Sequence, residues 1–298
     1  MAEQIFPNQM WFITRRVMWR EMRLRPSPKL NQIFNYVVAE VAADRNVLVS
    51  AMCVMSNHWH AVVGTEERNL PAFLQKVHSE LARATNAAHG DFGALWDKKN
   101  KNYQPLDDDE AVLRAIGYTL ANPVTPGGVK FARNWPGVRV AWPAKDRTCP
   151  RPRRFYRTEQ EGGQMPATTV RRMSRPLGFV GVGDDELARR IKQACERAER
   201  RAAAKVARKG DSYRKRAEIL RMSRYTRAVS RETRFQVRRR VHTTDPDKRA
   251  RLLAEQREWD AQYHDALARW RAGDRDVVFP SGTYKMVVLH NAMMAPPP

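Results

Sequence analysis

The chain of 298 residues contains 54 Lys and Arg against 32 Asp and Glu, which gives a formal net charge of +22. This excess is unlike the near-neutral balance of an ordinary metabolic enzyme, and it predicts a polyanionic partner. Hydrophobic residues make up 42% of the chain, enough to bury a sizeable core, so wholesale disorder is excluded.

The charge is unevenly distributed along the chain. Residues 1–148 carry a net charge of +5, whereas residues 149–298 carry +17. This asymmetry predicts two parts with different tasks.

Cysteine usage and hydropathy indicate the compartment. Cys53, Cys149 and Cys195 are far apart and lack paired spacing, which argues against a disulfide scaffold and a thiolate zinc site and favours a reducing compartment. No apolar run approaches the roughly 18 residues of a membrane span, and the first residues lack a signal-peptide pattern. The sequence therefore predicts a cytoplasmic, nucleoid-associated protein with no membrane partner.

The first half alternates between strand-like and helix-like segments. A helix with apolar residues at three- and four-residue spacing is opened by Ser27 and Pro28 and closed near Asp44. Two further helices are predicted over residues 70–88 and 109–121, and strands over residues 10–14, 47–55, 58–64 and 96–106. The order βαββαβ predicts an α+β, ferredoxin-like domain with an antiparallel sheet, over residues 1–146.

The character of the chain changes after residue 146. Residues 147–183 are rich in Pro, Arg, Gly and Thr without periodicity, which predicts a linker or extended arm. Residues 184–298 form a basic, mainly helical region, with helices predicted over 184–209 and 246–272, some helical spacing over 212–241, and one or two strands in 277–289. Tyr213, Tyr225, Phe235 and Trp259 lie between its basic residues, a composition typical of binding to nucleic-acid backbone and unpaired bases.

Two histidines begin the third strand. Since side chains alternate along a strand, His58 and His60 share one face and Trp59 lies on the other. Two imidazoles on one face supply half of a metal site. Such a pair is also compatible with a structural role, and the pair alone does not decide between the two interpretations.

The third helix adds two candidate residues. At about 100° per residue, its apolar stripe leaves Tyr118 and Asn122 together on the opposite face, one turn apart. The amide oxygen of Asn122 could complete a divalent metal site begun by the histidines. The alternatives are an aromatic side chain that seals the helix edge and an asparagine selected by the helix end before Pro123.

The segments VMSNHWHAVV and YTLANPVTPGG resemble the HUH single-tyrosine transposases, specifically the REP-associated tyrosine transposases and their insertion-sequence relatives. The resemblance covers about residues 8–145 and includes WPGV at 135–138. It implies that His58, His60 and Asn122 bind Mg²⁺ or Mn²⁺ and that Tyr118 is the catalytic nucleophile. It also implies an endonuclease and DNA strand transferase that acts on single-stranded or hairpin DNA through a 5′-phosphotyrosine intermediate, in DNA transposition.

Several basic residues near the site, and the function itself, have more than one interpretation. Phosphate contacts near the site are predicted for Arg15, Arg16, Lys98, Lys99 and Lys101, although a solvated basic face explains these residues nearly as well. Two alternative functions are a domesticated, non-catalytic protein that binds DNA or RNA hairpins and a metal-dependent nuclease that uses water as the nucleophile. The sequence leaves open whether the protein is a monomer or a homodimer.

Overall fold

A computed structural model describes residues 4–153, 165–228, 241, 243 and 245–296, without the side chains of residues 99–101. The first part contains five strands and three helices: β1 Gln9–Val17, α1 Pro28–Asp44, β2 Val47–Val54, β3 His58–Thr65, α2 Leu70–His89, β4 Trp96–Leu106, α3 Asp109–Ala121 and β5 Arg139–Ala141. The second part contains β6 Arg147–Pro150, β7 Thr168–Arg171, α4 Asp184–Arg208, α5 Arg216–Arg221, α6 Pro246–Arg271 and α7 Lys285–His290.

The five strands of the first part form one antiparallel sheet in the order β4-β1-β3-β2-β5. The order of β1 to β4 confirms the predicted ferredoxin-like fold. The short edge strand β5, which pairs with β2, was not predicted. In the centre of the sheet, β1 and β3 pair so that Thr14 lies opposite His60 and Arg16 lies opposite His58.

Helices cover both faces of the sheet. On one face, α1 and α2 pack on alternate strand residues such as Trp11, Ile13 and Trp59. On the other face, Val62 of β3 packs with α3 and α4, represented by Ile116 and Ile191. The histidines of β3 therefore lie on the face that α3 covers, because they alternate with Trp59.

Side-chain caps mark the starts of two of the helices, and the first of them is the predicted Ser27. The Ser27 hydroxyl accepts a hydrogen bond from the backbone N–H of Leu30 at 3.1 Å, at the start of α1. The Asp108 carboxylate accepts one from the N–H of Ala111 at 2.7 Å, at the start of α3. Each cap satisfies a backbone donor that the first turn leaves unpaired. These caps fix where α1 and α3 begin.

The second part agrees with the predicted helices over 184–209 and 246–272 and differs elsewhere. Residues 277–289 contain no strand, and their end belongs to α7, so the prediction of strands there is wrong. Three apolar residues of this segment, Val277, Phe279 and Met286, pack instead in a small core with Trp259 and Tyr263 of α6. Within 212–241, the described residues contain α5, and Phe235 lies outside the described residues.

The predicted division of the chain stays a prediction. Residues 147–183, predicted as a linker or arm, include the two-stranded sheet of β6 and β7. Helix α4, placed in the C-terminal region, shares a hydrophobic core with α3. Within the described residues, no helix has the length and apolar character needed to span a membrane.

Candidate active site

The two histidines of β3 differ in exposure and share one face of the sheet. His60 is 4% exposed, and His58 at the strand end is partly buried. Their ring centroids lie 4.8 Å apart. Trp59 between them is buried on the other face, where its ring packs edge-on against Phe34. The side chains of β3 therefore alternate between the two faces of the sheet, as predicted.

Each imidazole is held through Nδ1 by a neighbouring side chain. His60 Nδ1 lies 2.8 Å from the Thr14 hydroxyl on β1, and His58 Nδ1 lies 2.7 Å from Asn57 Oδ1. Because Asn57 Oδ1 only accepts, His58 Nδ1 is the protonated nitrogen in this contact. The Nε2 atom of a neutral His58 ring then carries a lone pair.

The Nε2 atoms have unusual surroundings. His60 Nε2 is buried and has no hydrogen-bond partner among the described residues. His58 Nε2 lies 3.0 Å from Asn122 Oδ1, so two acceptor atoms face each other when the ring is neutral. Both arrangements fit the presence of a cation that accepts electron pairs from nitrogen and oxygen.

Burial keeps both rings uncharged at neutral pH. Desolvation, together with the nearby Arg16 and Arg20, lowers the pKa of His58 to about 4, and the contact with Asn122 opposes this shift only in part. Desolvation and the neighbouring His58 lower the pKa of His60 well below its ordinary value. Neutral imidazoles are the form that binds metal ions.

Helix α3 brings the other two predicted residues to the histidines. The Tyr118 ring centroid lies 5.4 Å from that of His60 and 5.7 Å from that of Phe12. Tyr118 is 52% exposed, and Asn122, one turn later, is 7% exposed. Desolvation raises the pKa of Tyr118, and its interaction with Asn122 partly offsets this shift. The structure thus brings together all four residues that the sequence singled out.

A divalent metal fits the donors at this site. Two neutral imidazoles and an amide oxygen are ordinary ligands for such ions, and each ring has the support at Nδ1 that metal-binding histidines usually have. The described residues contain no cluster of three or more His, Cys, Asp or Glu that could hold a metal, and the Asn122 amide oxygen lies 3.0 Å from His58 Nε2. Such a set leaves positions open for oxygen atoms of a substrate.

The site opens into a cavity of about 390 Å³ that contains residues the sequence analysis missed. Thr14, Arg20, Asn57 and Asn102 line it beside the histidines, Phe12, Arg16 and Tyr118. The period-two pattern of β1 puts Phe12, Thr14 and Arg16 on one face. That signal becomes useful only when the pairing of β1 with β3 is known.

The predicted phosphate-binding residues have different positions. Arg16 lines the cavity and lies 3.4 Å from Asp97 in an ion pair. Arg15 lies on the opposite face of the sheet, beside His78 and Trp96. The prediction that Arg15 lies near the site is therefore wrong. Lys98 is exposed, and the side chains of Lys99 and Lys101 are outside the described part of the structure.

Two of the solved structures that match the chain are transposases. One is a REP-associated tyrosine transposase bound to a REP hairpin, 19% identical, over 45% of this chain and 77% of that chain, with a TM-score of 0.38. The other is a Deinococcus radiodurans protein assigned as a transposase, 18% identical, over 39% of this chain and 92% of that chain, with a TM-score of 0.30. The chain is similar to these proteins. No family model and no curated protein matches the sequence.

Proposed function

We propose that the protein is a metal-dependent, single-stranded DNA endonuclease and strand transferase, a transposase in which Tyr118 is the nucleophile. One observation carries the proposal: the ring of a half-exposed tyrosine packs against His60, whose buried Nε2 has no partner among the described residues. Buried polar atoms in folded proteins are usually hydrogen-bonded, so this nitrogen calls for an explanation, and a bound metal ion supplies one. The open nitrogen beside a reachable hydroxyl favours a metal-assisted reaction at Tyr118.

His58, His60 and Asn122 would hold Mg²⁺ or Mn²⁺. When bound, the ion would polarise the scissile phosphodiester and stabilise the charge that develops on it. Thr14 and Asn57 keep the two rings oriented through Nδ1. The low pKa values of both rings leave them neutral and available at physiological pH.

Tyr118 supplies the attacking oxygen. Its Oη forms a bond to phosphorus while the bond from phosphorus to the 3′-oxygen breaks, and the phenolic proton passes to solvent. The upstream strand takes up a proton and leaves with a 3′-hydroxyl, and the downstream strand stays attached as a 5′-phosphotyrosine. A second 3′-hydroxyl then attacks the same phosphorus, releases Tyr118 and joins the strands without an external energy source.

The cavity favours a flexible, anionic substrate. Arg16 and Arg20 line it together with the polar Asn57 and Asn102, so a phosphate that enters meets cations and hydrogen-bond donors. A backbone inside a duplex is less able to bend into such a cavity than an unpaired strand. Single-stranded DNA, or the unpaired flank of a DNA hairpin, is therefore the proposed substrate.

The test is formation of a covalent protein–DNA adduct. The protein is incubated with Mn²⁺ and a fluorescent library of random single-stranded oligonucleotides, and denaturing gels reveal adducts. We expect an adduct with the wild-type protein and with Tyr263→Phe, a matched control in the small core of α6 that keeps Tyr118. Tyr118→Phe, His58→Ala and His60→Ala are expected to lower the yield at least a hundredfold, because each removes the nucleophile or a ligand.

Other outcomes identify the alternatives. Strand cleavage that persists in Tyr118→Phe indicates water as the nucleophile and contradicts the proposal. Tight binding of oligonucleotides without cleavage or adduct in the wild-type protein indicates a non-catalytic binding protein.

A further inference from the structure

A second cavity lies on the far side of Tyr118, between α3 and α4. Its volume is about 630 Å³, and Tyr118 and Asn122 line it together with residues of α4. Tyr118 also lines the cavity that contains the histidines. The candidate nucleophile therefore lies where two cavities meet, and a polymer bound at Tyr118 can extend into both.

The two helices lie close together because small residues meet at their crossing. A Cβ atom on Gly117 would lie 2.7 Å from the carbonyl oxygen of Ala194, closer than real Cβ atoms approach. Ala198 and Ala202 continue the contact side of α4 along the cavity. Their methyl groups give the cavity an apolar floor, which leaves room for sugars and bases.

The walls of this cavity are cationic. Arg197, Arg201 and Lys205 recur every four residues on α4 and so form one stripe of about 12 Å, and Arg114 of α3 lies across from them. All four side chains are exposed. Glu110 is the single acidic side chain among the described residues that line the cavity.

These cations differ from others on the same helix. Arg189 and Arg190 form ion pairs with Glu186, at 2.5 and 2.7 Å. In contrast, the four cations of the cavity form no ion pair or hydrogen bond within the part of the chain that the structure describes. Four uncompensated charges around an apolar floor are complementary to a phosphate backbone whose bases or sugars contact the floor.

We propose that this α3–α4 groove binds the stretch of single-stranded DNA that is contiguous with the phosphate attacked by Tyr118. The inference rests on the proposed function for the identity of the ligand, and it assigns to α4 a part of the substrate site. Arg197, Arg201 and Lys205 contact successive phosphates, and the alanine floor contacts the nucleosides. The groove then holds one flank of the reacting phosphodiester while the histidine cavity holds the other.

The experiment compares two double variants of α4 with equal changes in charge. Arg197→Glu/Arg201→Glu alters the groove, and Lys192→Glu/Arg200→Glu alters exposed cations of the same helix that do not line it. Fluorescence anisotropy measures binding of a labelled single-stranded 20-mer without divalent metal, over a range of salt concentrations. Circular dichroism verifies that both variants keep the wild-type helix content.

We expect the groove variant to bind at least tenfold more weakly than the control variant. Each lost phosphate contact also reduces the slope of log affinity against log salt by about 0.7 for a single strand, so the slope is expected to fall by about 1.4 in the groove variant alone. Equal weakening and equal slopes in the two variants would overturn the proposal.

The outcome of the binding experiment does not depend on whether the protein cleaves DNA. If the wild-type protein forms no adduct with DNA but the groove variant selectively loses affinity, the proposed reaction fails and the groove assignment holds. If adducts form normally and both variants bind alike, the groove assignment fails and the reaction stands. A groove variant that loses affinity for duplex DNA as strongly as for the single strand also contradicts the proposal, because the groove is assigned to an unpaired strand.

Discussion

Both histidines of β3 are oriented through Nδ1, by side chains from two different parts of the chain. Thr14 comes from the paired strand β1, and Asn57 comes from the turn before β3. Both partners fix the ring orientation, and the Asn57 oxygen, which only accepts, also fixes the tautomer of His58, so that Nε2 is the atom directed into the site. Thr14 is thus a positioning residue that acts through His60.

Replacing Thr14 with Val tests this role, because the two side chains are nearly equal in shape and Val lacks the hydroxyl. We expect Thr14→Val to lower the affinity for Mn²⁺ by 10- to 100-fold, as measured by isothermal titration calorimetry. Adduct formation is expected to recover at high Mn²⁺ concentration, because Tyr118 and the ligands remain.

Thr168→Val, on an exposed position of β7, serves as the control. An unchanged Mn²⁺ affinity in Thr14→Val would show that the hydroxyl does not orient His60. A loss of adduct that high Mn²⁺ does not restore would also contradict a purely positioning role.

At the scale of residues, the sequence predicted which four side chains lie together but not the side chains that support them. Strand alternation and helical spacing were sufficient to place His58, His60, Tyr118 and Asn122 on defined faces, and the resemblance connected them. The contact of Thr14 with His60 depends on the register between β1 and β3, which no local pattern encodes. Arg15 was misplaced although strand alternation puts it on the face opposite to Arg16.

At the scale of elements, α3 connects the site to α4. The crossing is tight at Gly117, where an added methyl group would meet the backbone of Ala194. Backbone atoms cannot rotate away as a flexible side chain does, so the helices must separate to accommodate it. The position of Tyr118 therefore depends on its neighbour Gly117.

We expect Gly117→Ala to lower the free energy of unfolding by about 1–2 kcal/mol, measured by urea denaturation. Overpacking typically costs about 1–3 kcal/mol, and the better helix propensity of Ala offsets up to about 1 kcal/mol. Gly183→Ala is the control, because a Cβ there meets no atom within 4 Å, and we expect a change below about 1 kcal/mol. A Gly117→Ala variant as stable as the wild type would contradict the tight crossing.

Element boundaries followed from local signals where these were strong. The prediction for α3 matched Asp109–Ala121, because Asp108 caps its start and the chain turns before Pro123. Strand β5 has three residues, too few for alternation to be visible. Helix α7 was misread because the adjacent Val287 and Val288 have strand-like preferences, although Met286 is the residue of this helix that is buried. The α3–α4 groove was beyond prediction, since it arises from the crossing of two helices.

At the scale of the whole molecule, a cluster around Asp91 attaches the segment after α5 to the part of the chain that follows α2. The Tyr225 hydroxyl donates a hydrogen bond to Asp91 at 2.7 Å, and Arg224 forms an ion pair with it at 2.8 Å. Arg23 approaches the same carboxylate at 3.5 Å. The Asp91 side chain is 7% exposed, so the segment after α5 is held in place by contacts with a buried carboxylate.

This carboxylate makes stability depend on pH. Desolvation raises the pKa of Asp91, but the hydrogen bond from Tyr225 and the charges of Arg224 and Arg23 outweigh it, and the net shift is downward. A carboxyl group with a lowered pKa in the folded state stabilises the fold above its unfolded pKa of about 3.9. That contribution is lost as the pH falls through the lower, folded-state pKa.

We expect Asp91→Asn to lower the free energy of unfolding by about 1–2 kcal/mol at pH 7. The difference from the wild type is expected to shrink as the pH falls below about 4, since the wild-type carboxyl group then also becomes neutral. Urea denaturation between pH 7 and pH 3 measures this, with Asp265→Asn on the exposed side of α6 as the control. A difference that stays constant over this range would contradict a stabilising charge on Asp91.

The uneven charge of the molecule and the position of the site both support the proposed binding of DNA. The first 148 residues hold the site, and the excess of +17 lies in the rest, which supplies the cations of α4 beside Tyr118. The charge asymmetry predicted a division of tasks. The structure shows that the α4 portion of that charge lies next to the site.

The central claim is a covalent link between Tyr118 and the 5′-phosphate of the cleaved strand, and the position of a label on the substrate tests it most directly. The same oligonucleotide is labelled at its 3′ end or at its 5′ end and incubated with the protein and Mn²⁺, and the adduct is mapped by tandem mass spectrometry. The account predicts that only the 3′ label becomes attached to protein and that the modified residue is Tyr118. Attachment of the 5′ label, modification of another residue, or cleavage with neither label attached would contradict it.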